Sequence, residues 1–450
     1  MASDIQQKRQ LTEALIEQIL SEATRQGASA AEVAASDETG LSVTARAGDV
    51  ETVEFNQDRG FGVTVYFGNR KGSASTSDVS DEAIVQTVQA ACNVARFTQE
   101  DEYAGLEARE LMAAEVLELG LHHPAELSAE QAIRDAIACE GAALAEDARV
   151  VRSDGASVSS VDSVRAYGNT NGFVGSQAGT RYGMSCMVIA QSGDGSSGMQ
   201  RDYWYTSARR LEDLDSGEHV GRIAAERAVR RLDPRKAPTG QYPVLFSTDT
   251  SGGLLSQLIG ALSGGALYRK STFLLDSLGT QVLPSEYSVT ESPHEPGAMG
   301  SSAFDSDGVP TRAQAFVRDG VVASYVLSGY SGRRLGMETT GNASGVHNLD
   351  IVGPTQSFDA LLKAVGTGFL VTEMMGQGVN LVTGDYSRGA AGFWIEDGAV
   401  AYPVEEATIA SNLREMLMGI AGIGDDPDRR GNVRAPSILV GEMTVAGVQA

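Results

Sequence analysis

Apolar positions along the chain follow two periods, and the places where the period changes divide it into elements. Between residues 7 and 27, Leu11, Leu15, Ile16, Ile19 and Leu20 recur on one helical face and Gly27 ends the run, which predicts a helix. The stretches AAEVAAS, GLSVTARAGD, ETVEFNQ and GFGVTVYFGN then alternate between turn signals. Phe61, Val63, Val65 and Phe67 mark a half-buried strand, and KGSASTS continues as a small-residue strand. Helical spacing returns at 80–97 and 128–146, each with an acidic first turn that suits the helix dipole. From 155 to 210 the chain is rich in Ser, Gly and aromatics with a period of two. Gly168–Gly172 and Gly193–Gly198 punctuate it as hairpin turns. A charged helix is predicted at about 210–232.

Pro234 and Pro238 in LDPRKAPTG mark the best boundary, giving domains at 1–233 and 234–450. Beyond it, GQYPVLFSTDT is a buried strand that leads into LLSQLIGALSGGALYRKS. Asp319-Gly320 and Asp397-Gly398 each sit between two strand-like runs as hairpin turns. Thr408–Ile423 is predicted as the last long helix and SILVGEMTVAG as the last strand. The fold class expected is α+β: an N-terminal antiparallel sheet flanked by helices, then a barrel- or sandwich-like domain of antiparallel strands.

Composition narrows the function classes. The chain has 450 residues, 42% hydrophobic and 21% charged, ordinary values for globular domains. Its formal charge of −24, with no Lys/Arg stripe, argues against nucleic acid and anionic membranes as partners. No apolar run is long enough to span a bilayer, and the N-terminus has no apolar signal core. Cys92, Cys139 and Cys186 are few and far apart, with no CxxC spacing. Cys92 and Cys139 fall in helical runs as small core residues, and the set suits a reducing, cytoplasmic setting.

The candidate chemistry is sparse. The five histidines (His122, His123, His219, His294 and His347) include no pair four residues apart, so no helix presents an i,i+4 metal pair. His294-Glu295 is followed by Pro296 and Gly297, which break a helix there. No serine stands in G-x-S-x-G, and there is no Walker loop. Ser331 in GYSGRR and Ser387 in GDYSRG are exposed-looking serines among glycines, with turn residues as the plainer reading. GQGVNLVTGDYSRGAAGFWIEDG concentrates six glycines among strand-like stretches. Glycine there permits close backbone approach, either by a peptide added at a sheet edge or simply for turns and bulges.

Several stretches taken together resemble one family. They are FNQDRGFGVTVYFGNRKGSAST at 55–76, LLSQLIGALSGGALYRKS at 254–271, GQGVNLVTGDYSRGAAGFWIEDG at 376–398, YPVEEATIASNLREML at 402–417 and the late MTVAG. In order, and over essentially the whole chain, they are similar to the TldD/PmbA family, also labelled modulators of DNA gyrase, and within it to the PmbA/TldE branch. The resemblance implies an N-terminal α/β domain and a mainly-β C-terminal domain. It also implies a cytoplasmic heterodimeric metallopeptidase acting on unfolded peptides, in antibiotic-peptide maturation and antitoxin turnover. In the TldD branch a helix carries H-E-x-x-x-H before a basic pair, and a later cysteine completes the zinc site.

Aligning the leucines and Arg269-Lys270 puts Ser256, Gln257 and Ala261 where that branch has His, Glu and His, and no cysteine lies beyond Cys186. The resemblance therefore implies no catalytic or metal residue and no cofactor in this chain, with zinc expected in a TldD-like partner subunit. Arg269, Lys270, Gly376, Gly378 and Gly384 are the positions implied to face peptide or partner. The alternative is a stand-alone peptide-binding or regulatory protein, a homodimer in isolation, acting on gyrase or its inhibitors.

Overall fold

The computed structural model describes residues 2–193 and 198–447. Most of the predicted Gly193–Gly198 turn lies outside the described residues. The N-terminal module is one antiparallel sheet of six strands: β1 (Ala30–Arg46), β2 (Asp49–Phe67), β3 (Arg70–Thr76), β4 (Val150–Asn169), β5 (Val174–Ala190) and β6 (Gln200–Ala208), in the order β3-β2-β1-β4-β5-β6. Alternation sends Val33, Leu41 and Val43 of β1 to one face, and α1 (Ala2–Arg25), α2 (Asp81–Phe97), α3 (Ala129–Glu146) and α4 (Gly217–Arg230) cover that face. Ser80, Ser128 and Ser216 cap three of these helices by accepting from the backbone N–H three residues on. α1 starts earlier than its apolar period, and its buried stripe is Leu15, Ile16, Ile19, Leu20 and Ala23; Leu11, grouped with that face, is exposed. All three cysteines are free and buried.

The C-terminal module contains β7 (Gly240–Phe246), α5 (Thr248–Ala261), α6 (Gly264–Tyr268), β8 (Ser288–Glu291), β9 (Gln314–Arg318), β10 (Val321–Val322), α7 (Gly329–Leu335), β11 (Leu349–Val352), β12 (Thr355–Gln356), α8 (Phe358–Val365), β13 (Gly368–Met375), β14 (Asp385–Glu396), β15 (Ala399–Asn412), α9 (Leu413–Met418), β16 (Ile420–Gly424), β17 (Val433–Arg434) and β18 (Ile438–Gly447). Strands β7, β13, β14, β15 and β18 pair in a ring, because β18 returns to β7, and so close a five-stranded barrel. β16 and β12 extend it, and a second sheet, β10-β9-β8-β11-β17, stands beside it. The barrel core gathers Val244, Phe246, Phe369, Val371, Trp394 and Ile409 around the apolar face of α5.

The α+β expectation holds, and both Asp-Gly hairpins form with left-handed Asp319, Gly320, Asp397 and Gly398. The helix predicted over Thr408–Ile423 does not. β15 runs on to Asn412, α9 occupies only Leu413–Met418, and β16 follows. Ile409, Leu413, Met416, Leu417 and Ile420 imitate helical spacing, but the alternating burial of Ala407 and Ile409 belongs to a barrel strand, and pairing with β14 and β18 decides the outcome. Asn412 then caps α9 by accepting from Arg414 N at 3.0 Å.

The modules are joined by buried charge. Asp202 on β6 accepts from Arg227 of α4 at 3.1 Å and from Arg231, the residue after that helix, at 3.3 Å, and Arg227 continues to Asp249 of α5 at 2.9 Å.

Candidate functional site

β7 feeds directly into α5, so the barrel fixes where that helix points. Leu254, Leu255, Leu258 and Ala261 are buried on its inner face. Ser256 is exposed, and its Oγ donates to Gly252 O at 2.8 Å, so the hydroxyl is spent on its own helix. Gln257 is half-buried and carries no base at neutral pH. Ala261 is fully buried, and its carbonyl accepts from Thr272 Oγ1 at 2.7 Å. Five helical residues turn through roughly 500°, so positions 256 and 261 point to different sides: one to solvent, one to the core. A hydroxyl, a carboxamide and a methyl group in this arrangement do not fit zinc. Among the described residues no group of three or more His, Cys, Asp or Glu side chains converges as a metal site.

The glycine-rich segment lies against this helix. Gly376 and Gly384 take left-handed backbone at φ 74° and 82°. Gly378 packs so closely on β14 that a Cβ there would fall on the Ser387 carbonyl, while Ser387 N donates to Gly378 O at 2.7 Å. Leu381 reaches Gly260 of α5, and its carbonyl accepts from Phe273 N at 2.7 Å. The stretch 254–273 and the loop 376–384 are therefore one surface. The later glycines are different. β14 is paired on both sides within the barrel, and Gly392 sits at a register shift against Leu370, so these residues serve bulges and closure and offer no free edge.

Arg269 and Lys270 are both exposed, but Arg269 belongs to another neighbourhood. Its guanidinium lies 5.2 Å from the Tyr268 ring and donates to Tyr268 OH at 3.0 Å, while Tyr268 packs edge-on against Tyr330. Lys270 has left-handed backbone, φ 54°. Ser331 is buried, not exposed: it completes a capping box with Ser328 at the start of α7. Ser387 is exposed on β14. The histidines are scattered, each held locally, as in His122 Nε2 to Asp162 Oδ2 at 2.8 Å and His294 Nε2 to Thr311 Oγ1 at 2.9 Å.

Two features were not legible in sequence. The first is a polar clasp between the modules. Tyr66 and Tyr167 hydroxyls donate to the two oxygens of Glu32 at 2.7 and 2.8 Å, Arg333 pairs with Glu107, and Gly329 N donates to Asp307 at 2.9 Å. Burial lifts the carboxyls of Glu32, Glu107 and Asp307 above their ordinary range. Burial lifts neighbouring Asp305 to about 6, aided by the charge of Asp307 and against the pull of three backbone N–H donors. The second is a cavity of about 1010 Å³ between the helix-free face of the N-terminal sheet and the loops around Met299–Ser306 and Ser344–His347.

Comparison with known proteins accounts for the architecture. Family models described as PmbA/TldA metallopeptidase domain 1, central domain and C-terminal domain match residues 31–95, 122–232 and 239–447. The metalloprotease PmbA of Escherichia coli O157:H7 is 47% identical over 418 residues, 93% of this chain and 92% of that protein. The metalloprotease PmbA homolog of Haemophilus influenzae is 45% identical over 427 residues, 94% of each. A crystal structure from Bacteroides thetaiotaomicron, described as a modulator of DNA gyrase, superposes with a TM-score of 0.91 at 27% identity, covering 97% of this chain and 98% of that one. TldE from Thermococcus kodakarensis shares the fold, with a TM-score of 0.83 at 19% identity over 96% and 100% of the two chains. With three family domains matched in order and close identity over nearly its full length, the chain belongs to the PmbA/TldD metallopeptidase family.

Proposed function

We propose that this chain is a PmbA/TldE-type subunit that pairs with a TldD-type zinc metallopeptidase and builds part of the chamber in which unfolded peptides are cut, without catalysing the cut itself. The observation that carries this reading is α5. Its leucines are buried in the barrel core, and Ser256, Gln257 and Ala261 are the residues that the resemblance aligns with the His, Glu and His of the TldD branch. Function at this helix would then be positional. The surface shared by α5 and the loop around Gly376, Gly378 and Gly384 would help hold an extended peptide by its backbone, with Arg269 and Lys270 nearer the partner.

A docking edge is available on β2. From Asp49 to Gly60 this strand pairs only with β1, and Val53 and Phe55 stand opposite Val43 and Leu41 yet remain exposed.

The test of the pairing is co-elution. The purified chain, mixed with a TldD-type protein, is expected to shift to a larger species containing both chains on size exclusion. Two independent peaks at micromolar concentration would remove the partner reading in favour of a stand-alone regulatory protein.

A further inference from the structure

The cavity between the modules carries a charge pattern at odds with the rest of the chain. In a molecule of net charge −24, three arginines line it: Arg165 on β4, Arg181 on β5 and Arg209 just past β6. They come together because of register. Arg165 lies opposite Gln177, Arg181 opposite Val161, and the β5–β6 pairing of Tyr182 with Ala208 puts Arg209 next to Arg181. All three therefore share the sheet face that the helices leave open.

Arg209 is the centre of this group. It is half-buried, with Nη1 donating to Thr180 O at 3.2 Å and Nη2 to Met299 O at 2.9 Å, both neutral carbonyls. Its Nε is buried and has no partner, and among the described residues no carboxylate lies within ion-pair distance. Two of five N–H donors are thus used. Arg181 uses Nε on Ser207 Oγ at 3.0 Å, and Arg165 reaches Glu38 only at 3.9 Å. The other acid on the wall, Asp305, is already served by the backbone N–H groups of Asp307, Val309 and Ala343. Burial, and then the charges of Arg181 and Arg165, lower the Arg209 pKa, so these three cations disfavour one another's charge. An arginine drawn this far out of water, with its Nε buried, is ordinarily paired with a carboxylate or phosphate. Here, among the described residues, no carboxylate of the chain takes that place.

We propose that this cavity is a binding site for a ligand carrying an oxyanion, a free peptide α-carboxylate or a phosphate, with Arg209 as the anchor and Arg181 and Arg165 guiding the anion in. At about 1010 Å³ the space suits a molecule of several residues better than a lone ion. All of its lining residues belong to this chain.

Isothermal titration of the isolated full chain tests it with three probes: inorganic phosphate, a tripeptide with a free C-terminus, and the same tripeptide amidated. The free acid is expected to bind at least ~10-fold more tightly than the amide, weakening as salt rises. Arg165→Gln with Arg181→Gln, on exposed side chains, is expected to lose roughly that factor while the melting temperature stays unchanged. Arg209→Gln is expected to abolish it. Binding of phosphate without the peptide supports the oxyanion site and assigns it to a phosphoryl ligand. Equal affinity for acid and amide with no phosphate binding overturns the proposal, as does unchanged binding by the double variant, which decides the matter if Arg209→Gln fails to fold.

Discussion

At the scale of single residues, Ala261 says most about what α5 can do. Its side chain is fully buried in the barrel core, so a histidine there would overpack the core before it met a metal. Ala261→His is expected to cost about 1–3 kcal/mol in chemical denaturation. Adding Ser256→His and Gln257→Glu is expected to leave peptide cleavage by the lone chain at background, since position 256 faces solvent. Asp305 gives a second residue-level expectation. Its folded-state pKa of about 6 lies above the value near 4 of a free carboxylate. The folded chain therefore holds this proton more tightly than the unfolded one. The stability linked to it is fully present below about pH 4 and is lost as pH rises through about 6. Glu32, Glu107 and Asp307 shift in the same direction. Asp305→Asn is expected to flatten the decline in stability between pH 4 and 7, read by urea denaturation at several pH values. An unchanged slope would remove Asp305 as its source.

At the scale of elements, the glycine segment shows what local sequence can and cannot disclose. Its density of glycines was visible, and so was the choice between close backbone approach and plain bulges. Only the ring of strands divides the segment: Gly376, Gly378 and Gly384 belong to a loop on α5, and the glycines of β14 belong to barrel closure. Gly378→Ala is expected to destabilise by at least ~2 kcal/mol, because the added methyl meets the Ser387 carbonyl and not a side chain that can move. A neutral result would mean that the loop does not sit against β14. The missed helix at 408–423 has the same lesson. Apolar spacing there fits a helix as well as a strand turning into a short helix; the Asp397-Gly398 turn announces the β14–β15 hairpin, but not how far it runs, and the other partner, β18, lies too far along the chain to be inferred. The open edge of β2 is an element with an unmet need. Phe55→Asp is expected to weaken the complex with a TldD-type partner by roughly tenfold while leaving the fold intact, measured by titration of one labelled chain with the other. Unchanged affinity would move the interface elsewhere.

At the scale of the whole molecule, the sequence disclosed the class and order of the modules because their signals are local: period-two strands, helices with acidic first turns and Asp-Gly turns. What joins the modules was hidden. Glu32 and Asp307, Arg227 and Asp249, Arg209 and Met299 become neighbours only through sheet register and through the packing of one module on the other. Net charge was legible as a reason to discount nucleic acid, but the arginine-lined cavity ran against that average and could not be seen in it. The resemblance across the full chain pointed to the family, and the family is what the comparisons show. The division of labour between two chains remains the central proposal. Its most direct measurement is zinc-dependent cleavage of an unfolded peptide by this chain alone, by its TldD-type partner alone and by the mixture, each with and without EDTA. Cleavage that is EDTA-sensitive and strongest in the mixture, with none from this chain alone, is the predicted result. EDTA-sensitive cleavage by this chain alone would contradict it.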